Sequence, residues 1–232
     1  MSKKVPFILI AMSAMVLTAC DTKISQDKFV AQLEATKANI TLDSEVLDNV
    51  HMSNKLNVNV IDYKKDEFYI NTTFAMALII PIITKYYTWK DEDGKYYHAE
   101  EHTITSNNQY KEITKEQFDV YMASGRGDIC AKLNEGVANC ESMLKEQPED
   151  SQYYNIKNSF VQTINGEYKM TSTMNYKTTQ DGSEVEKTRK TTFIFKKNLP
   201  VKYTINDNGE SFYKYSFGKA ELRKPEKPTS NE

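Results

Sequence analysis

Residues 187–217 read KTRKTTFIFKKNLPVKYTINDNGESFYKYSF. Three strand-like runs, 187–196, 201–205 and 211–217, are cut by turn residues at 198–200 and 207–209. A fourth run at 168–176 precedes them, followed by Asp181-Gly182. Strands this close in sequence must pair antiparallel, because parallel pairing needs a crossover connection of a dozen or more residues. The last third of the chain therefore predicts an antiparallel meander.

Further towards the N-terminus, the pattern alternates between helix and hairpin. Thr114 and Gln117 match a capping box, and Ile113 and Phe118 match the hydrophobic staple that accompanies one. The spacing predicts a helix that begins at Thr114, stops at Gly125, and resumes through Ile129, Leu133, Val137, Cys140 and Leu144 to Pro148. Residues 85–89 and 95–104 flank Asp93-Gly94, a tight-turn pair, and predict a hairpin. Leu56, Val58 and Val60 alternate with polar residues, turn at Lys64-Lys65-Asp66, and lead into 68–73 as another hairpin. Near the start, Ser25 caps a helix whose Phe29, Leu33, Thr36 and Ile40 share one face, with Ile24 and Phe29 as its staple.

Residues 74–83, FAMALIIPII, form the most apolar stretch after the leader. They do not alternate, so neither face of a strand built from them expects water. One reading is a central strand, or a short strand with a buried loop at Pro81. The other is that Phe74, Met76, Leu78, Ile80 and Ile82 line an apolar cavity.

Candidate chemistry is sparse. His98-Ala99-Glu100-Glu101-His102 has the order of an inverted zinc-peptidase motif. That chemistry needs both histidines on one helical face, whereas this segment reads as strand. On a strand His98 and His102 are about 13 Å apart, too far to share one metal. A zinc hydrolase using His98, Glu101 and His102 is thus a remote alternative, and His98, Glu100 and His102 are weak surface candidates for an adventitious ion. Cys130 and Cys140 form an even pair in a chain read as exported, which predicts a disulfide. In one unbroken helix their Cα atoms would stand about 15 Å apart, so a bond requires the chain to reverse near Asn134-Glu135-Gly136; two free buried thiols are the alternative. The run Lys187-Thr188-Arg189-Lys190 reads as a solvated strand face, with lipid phosphate as its functional reading. No cofactor motif is present.

The leader fixes an address. Lys3 and Lys4 precede an apolar run of about thirteen residues, closed by small residues, which is the order of a secretory signal peptide and too short for a permanent span. Leu17-Thr18-Ala19-Cys20 resembles the lipobox of bacterial lipoproteins, whose cysteine thiol receives a diacylglyceryl group, with palmitate as its acyl type, and whose preceding peptide bond is cut. The resemblance implies lipid on Cys20, a signal peptide over residues 1–19, a short tether over 20–24, and residence on the extracytoplasmic face of a bacterial membrane. Two chains anchor stably where one does not. Removing the leader leaves 213 residues, with 28 basic against 32 acidic. So weak a balance gives no support to nucleic-acid binding. Residues 224–232 read as a disordered tail, and 25–223 as a single domain of the α+β class: a curved antiparallel, half-barrel-like sheet with an N-terminal helix and an inserted helical segment.

That order of elements, with Phe193 to Lys197 followed by Leu199-Pro200-Val201, is similar to the LolA and LppX type of lipid-carrying envelope proteins. The resemblance implies a non-enzymatic lipoprotein that takes an apolar ligand, a lipid among the candidates, between helix and sheet. The alternative is a structural lipoprotein that docks another envelope protein.

Overall fold

The computed structural model describes residues 21–54, 59–75, 81–103, 108–145, 151–221 and 225. After β1 (Thr22–Lys23) come α1 (Gln26–Asn39), a short 3-10 helix (Glu45–Asp48), β2 (Asn49–Asn54), β3 (Asn59–Lys64), β4 (Glu67–Ala75), β5 (Pro81–Lys90), β6 (Tyr96–His102) and β7 (Gln109–Ile113). The long helix α2 (Lys115–Leu144) then leads to β8 (Tyr153–Gln162), β9 (Tyr168–Gln180), β10 (Ser183–Lys196), β11 (Leu199–Asp207) and β12 (Glu210–Gly218). All strands join one sheet in the order β1-β8-β9-β10-β11-β12-β2-β3-β4-β5-β6-β7. Its paired neighbours run antiparallel, and the sheet is curved and unclosed, with β1 and β7 as its edges. The expected α+β class with a curved antiparallel sheet is what the chain adopts.

Both helix starts follow the predicted chemistry. Ser25 accepts a hydrogen bond from the Lys28 backbone N–H, and Thr114 and Gln117 close a full capping box. Each cap satisfies an amide that the first helical turn leaves without a partner. Phe29, Leu33, Thr36 and Ile40 are all buried, as their spacing requires. Phe29 packs against Phe160 and Phe195, with ring centroids 5.3 and 5.8 Å away. Met170 on β9, and Phe193 and Phe195 on β10, point inwards into the core that contains the helix residues, and Met174 is buried on the same face of β9.

Three expectations change. Residues 74–83 are not one strand: Phe74 pairs with Ile82 and Ala75 with Pro81, so the apolar run supplies the two arms of the β4–β5 hairpin. An unalternating run of this length satisfies a buried strand or two short arms equally well, and proline is tolerated at the first residue of a strand. Gly125 does not stop a helix. Helix α2 runs unbroken through it, and a Cβ there would come within 2.4 Å of the Phe68 ring, so the glycine marks a close approach of helix to sheet. Finally, Cys130 and Cys140 both lie on this continuous helix as free thiols, and no reversal at Asn134 brings them together. Ten residues of helix separate them by about 15 Å, more than twice the reach of a disulfide.

The C-terminal segment follows a defined course after β12. The Ala220 amide donates to the Asn49 side chain and the Glu221 amide to Asp62, and Pro225 lies beside Tyr69 and Tyr87. The rest of the predicted tail lies outside the described residues.

Candidate functional site

The site grows from the β10–β11 turn. Lys196 pairs with Leu199, and the two residues between them, Lys197 and Asn198, both have left-handed backbone angles (φ 50° and 57°). Two positive φ values in a two-residue hairpin loop are the I′ geometry that matches the strand twist. Asparagine adopts it readily, but lysine adopts it at a cost of about 1–2 kcal/mol. Helix α1 holds the turn in place: Gln32 Nε2 donates to Asn198 Oδ1 at 2.7 Å, and Asn39 Nδ2 donates to the Asn198 carbonyl at 2.9 Å.

Immediately after the turn, Leu199, Pro200 and Val201 form one wall of a cleft of about 560 Å³. Its floor is Leu133 of α2 and Val50 of β2, both buried. Val46 of the 3-10 helix and Phe217 of β12 close the sides. The cleft lies where the β12–β2 ladder ends, at the Gly218–His51 pair. Arg126 fixes the wall that carries Val46, because its guanidinium donates to the carbonyls of Leu42 and Ser44 and to the Asp48 carboxylate. At Gly136, where α2 passes Pro200, a Cβ would meet only the Pro200 ring, in ordinary contact at 3.8 Å. Lys196, Lys197 and Lys219 stand at the mouth. A mainly apolar hollow of this volume with a few polar groups at its rim has the composition of a small-molecule site.

The cavity expected behind residues 74–83 is not where this cleft lies. Ile82 is half-buried at the start of β5, on the other half of the sheet, and the side chain of Phe74 and all of Met76, Leu78 and Ile80 lie outside the described residues. The cleft residues belong to α2, the 3-10 helix and four strands, and no local period links them. Leu199-Pro200-Val201, which follows the Lys197-Asn198 turn, is the cleft wall.

The histidine motif folds differently from a zinc site. Glu101 points to the opposite face of β6 from the histidines and pairs with Lys85 at 2.8 Å. Glu100 lies between them, 3.2 Å from His98 Nε2 and 3.6 Å from His102 Nε2. Among the described residues no cluster of His, Cys, Asp or Glu is arranged to hold a metal ion. His98 is instead a core residue. It stacks on Tyr121 of α2 at 4.2 Å with an interplanar angle of 6°, and its Nδ1 lies 2.8 Å from Thr88 Oγ1. Burial holds its pKa below the ordinary value, with Glu100 opposing that shift and Lys111 adding to it.

Two further groups take structural roles. Cys140 is buried beside Met170 (Sγ–Sδ 3.7 Å), and desolvation pushes its thiol well above the usual range, which keeps it inert. Arg189, in the basic run of β10, makes two hydrogen bonds to Asp207 at 2.7 Å, so it is not free for lipid phosphate. On the opposite sheet face from α2, Tyr87, Trp89, Tyr97 and Tyr110 pack edge and face around Trp89.

No protein-family model matches the chain, and no curated protein or solved structure matches it either. Among the described residues, no helix is long and apolar enough to cross a membrane.

Proposed function

We propose that this protein is a non-enzymatic lipoprotein, held by lipid on Cys20 at the extracytoplasmic face of a bacterial membrane, that binds an apolar ligand between α2 and the sheet. The observation that carries the ligand reading is the 560 Å³ cleft, whose floor and walls are Leu133, Val50, Val46, Leu199, Val201 and Phe217. Leaving that many apolar groups facing a hollow costs stability that a closer approach of α2 would recover. An apolar guest recovers it without moving the helix.

The anchor reading draws support from β1. Thr22 pairs with Gln162 and Lys23 with Val161, so the chain is already part of the sheet two residues after Cys20. An acylated Cys20 would hold the body against the bilayer, with no long leader between them.

A second reading, docking of another envelope protein, draws on the aromatic group around Trp89 on the sheet face opposite α2, of which Tyr97 and Tyr110 are the half-buried members. Native mass spectrometry of protein extracted from membranes separates the two. A lipid-sized adduct that is lost in Val46→Trp, whose indole would fill the cleft, supports the ligand reading, provided circular dichroism shows the variant folded. No adduct on the wild-type chain would refute it, and a stoichiometric protein partner in place of an adduct would favour docking.

A further inference from the structure

The sheet register places the cleft and the start of the body at one end of the molecule. Thr22 pairs with Gln162, Gln162 with Tyr168, Tyr168 with Phe195, and Phe195 with Pro200. This single row crosses β1, β8, β9, β10 and β11. Four inter-strand steps of about 4.8 Å make it roughly 19 Å long. Lys196 and Lys197 lie beyond the row at the strand ends, and so does the β8–β9 turn, where Ile164 is 61% exposed. On β12, Ser216 pairs with Lys202, so Gly218 is level with Pro200 and Lys219 falls beyond it. Because β1 runs antiparallel to β8, the chain enters Thr22 from this same side.

One end of the sheet therefore carries the entry of the chain, an exposed isoleucine, and a cleft mouth with three lysines. No described ion pair engages Lys197 or Lys219, and Lys196 is only loosely placed, 3.9 Å from Glu167. Glu167 in the β8–β9 turn is the acidic residue beside Lys196, and Glu45 opens the 3-10 helix across the cleft, so Lys197 and Lys219 are the lysines of the mouth with no described ion pair. Lysine in the left-handed turn position adds a second sign. Asparagine or glycine would be relaxed at 197, whereas the turn carries a lysine there, next to Asn198, which α1 holds by two hydrogen bonds.

We infer that this end of the sheet faces the lipid bilayer, and that Lys196, Lys197 and Lys219 bind the phosphate of an anionic phospholipid whose acyl chain enters the cleft. The acyl part rests on the apolar-ligand reading above; the headgroup part stands on the lysines and the register alone. Basic side chains at a membrane surface each strengthen binding to anionic lipid about fivefold, so three give on the order of a hundredfold.

The test uses the chain from Asp21 onward, which contains every described element and the whole hydrophobic core, without lipid on it. Co-sedimentation with phosphatidylcholine vesicles is compared with vesicles that also contain phosphatidylglycerol. The wild-type chain should bind only the second, and the combined variant Lys196→Gln, Lys197→Asn, Lys219→Gln should lose about a hundredfold. Asparagine at 197 suits the turn, so folding is preserved. Lys187→Gln with Lys190→Gln, in the middle of β10 and away from the cleft end, should change binding little. Equal binding by the triple variant, an equal loss from the mid-strand pair, or indifference to phosphatidylglycerol would overturn the assignment. Competition by inorganic phosphate beyond that of chloride at equal ionic strength would also overturn it, because it would mark a free-phosphate site. A lipid adduct that persists in the mass spectrum of the triple variant while vesicle binding is unaffected would remove the lysines' role and leave the apolar cleft standing.

Discussion

The two halves of α2 meet the same sheet in opposite ways. In the first half, Gly125 sits so close to Phe68 that no Cβ fits, Phe118 packs on Tyr96 with centroids 4.7 Å apart, and Tyr121 lies flat on His98. In the second half, Gly136 has an ordinary contact with Pro200 to spare, and beside it the cleft opens next to Leu133. A fold built only for stability would close both. Interiors pack to the density of organic crystals, and a persistent hollow costs free energy in proportion to its volume. The difference therefore separates a half that holds the helix down from a half that leaves room for something else.

The largest effect expected from this contrast is at Gly125. Alanine there overpacks a buried helix–sheet contact and should cost about 3 kcal/mol, at the upper end for an added methyl. Urea denaturation measures it, and Phe68→Leu in the same chain should recover part of the loss by vacating the ring position. A Gly125→Ala protein as stable as the parent would mean that helix and strand do not touch as described.

A smaller effect is expected at His98, also in the tight half. Its pKa is lowered in the folded state by burial, while the unfolded chain titrates near the ordinary 6.5. The unfolded state thus binds more protons below that value, so stability is fully present above about pH 6.5 and falls as the pH drops through the window beneath it. Thermal melts from about pH 7.5 down to about pH 5.5 should show the decline, and His98→Gln should remove that component. A pH dependence identical in the variant would place it on other groups.

The smallest effect has the opposite sign. Gly136→Ala meets no clash and removes a flexible residue from a helix interior, so it should stabilise by about 0.5–1 kcal/mol. If it destabilises as much as Gly125→Ala does, the two halves of α2 are equally tight and the cleft is not open.

Much of the architecture was legible in the sequence because it depends on near neighbours. The caps at Ser25 and Thr114, the buried face Phe29, Leu33, Thr36 and Ile40, and the turns of the closing meander all rest on interactions within a few residues. Several strands that depend on distant partners were not legible. Strands β1, β2, β7 and β8 owe their state to partners that local pattern does not reveal: Lys23 pairs with Val161 and Phe217 with Met52. The cysteines failed for a related reason. An even count in an exported chain argues for pairing, but helix continuity between Cys130 and Cys140 overrode it, and Gly125, which looked like a stop, serves the approach to Phe68. The apolar run at 74–83 drew attention as the most hydrophobic stretch, while the cleft residues were dispersed among ordinary-looking strands.

By itself, the sequence determined the class of the fold, the two helix starts and the antiparallel sense of the C-terminal strands, because hydrophobic period and turn chemistry report whether a residue is buried and where the chain reverses. Tertiary structure alone decided that β12 lies beside β2, that the cleft forms where that ladder stops, and that its lysines share an end of the sheet with the entering chain. Burial patterns state that a side chain leaves water. Only the pairing of segments more than a hundred and fifty residues apart states what it meets when it does.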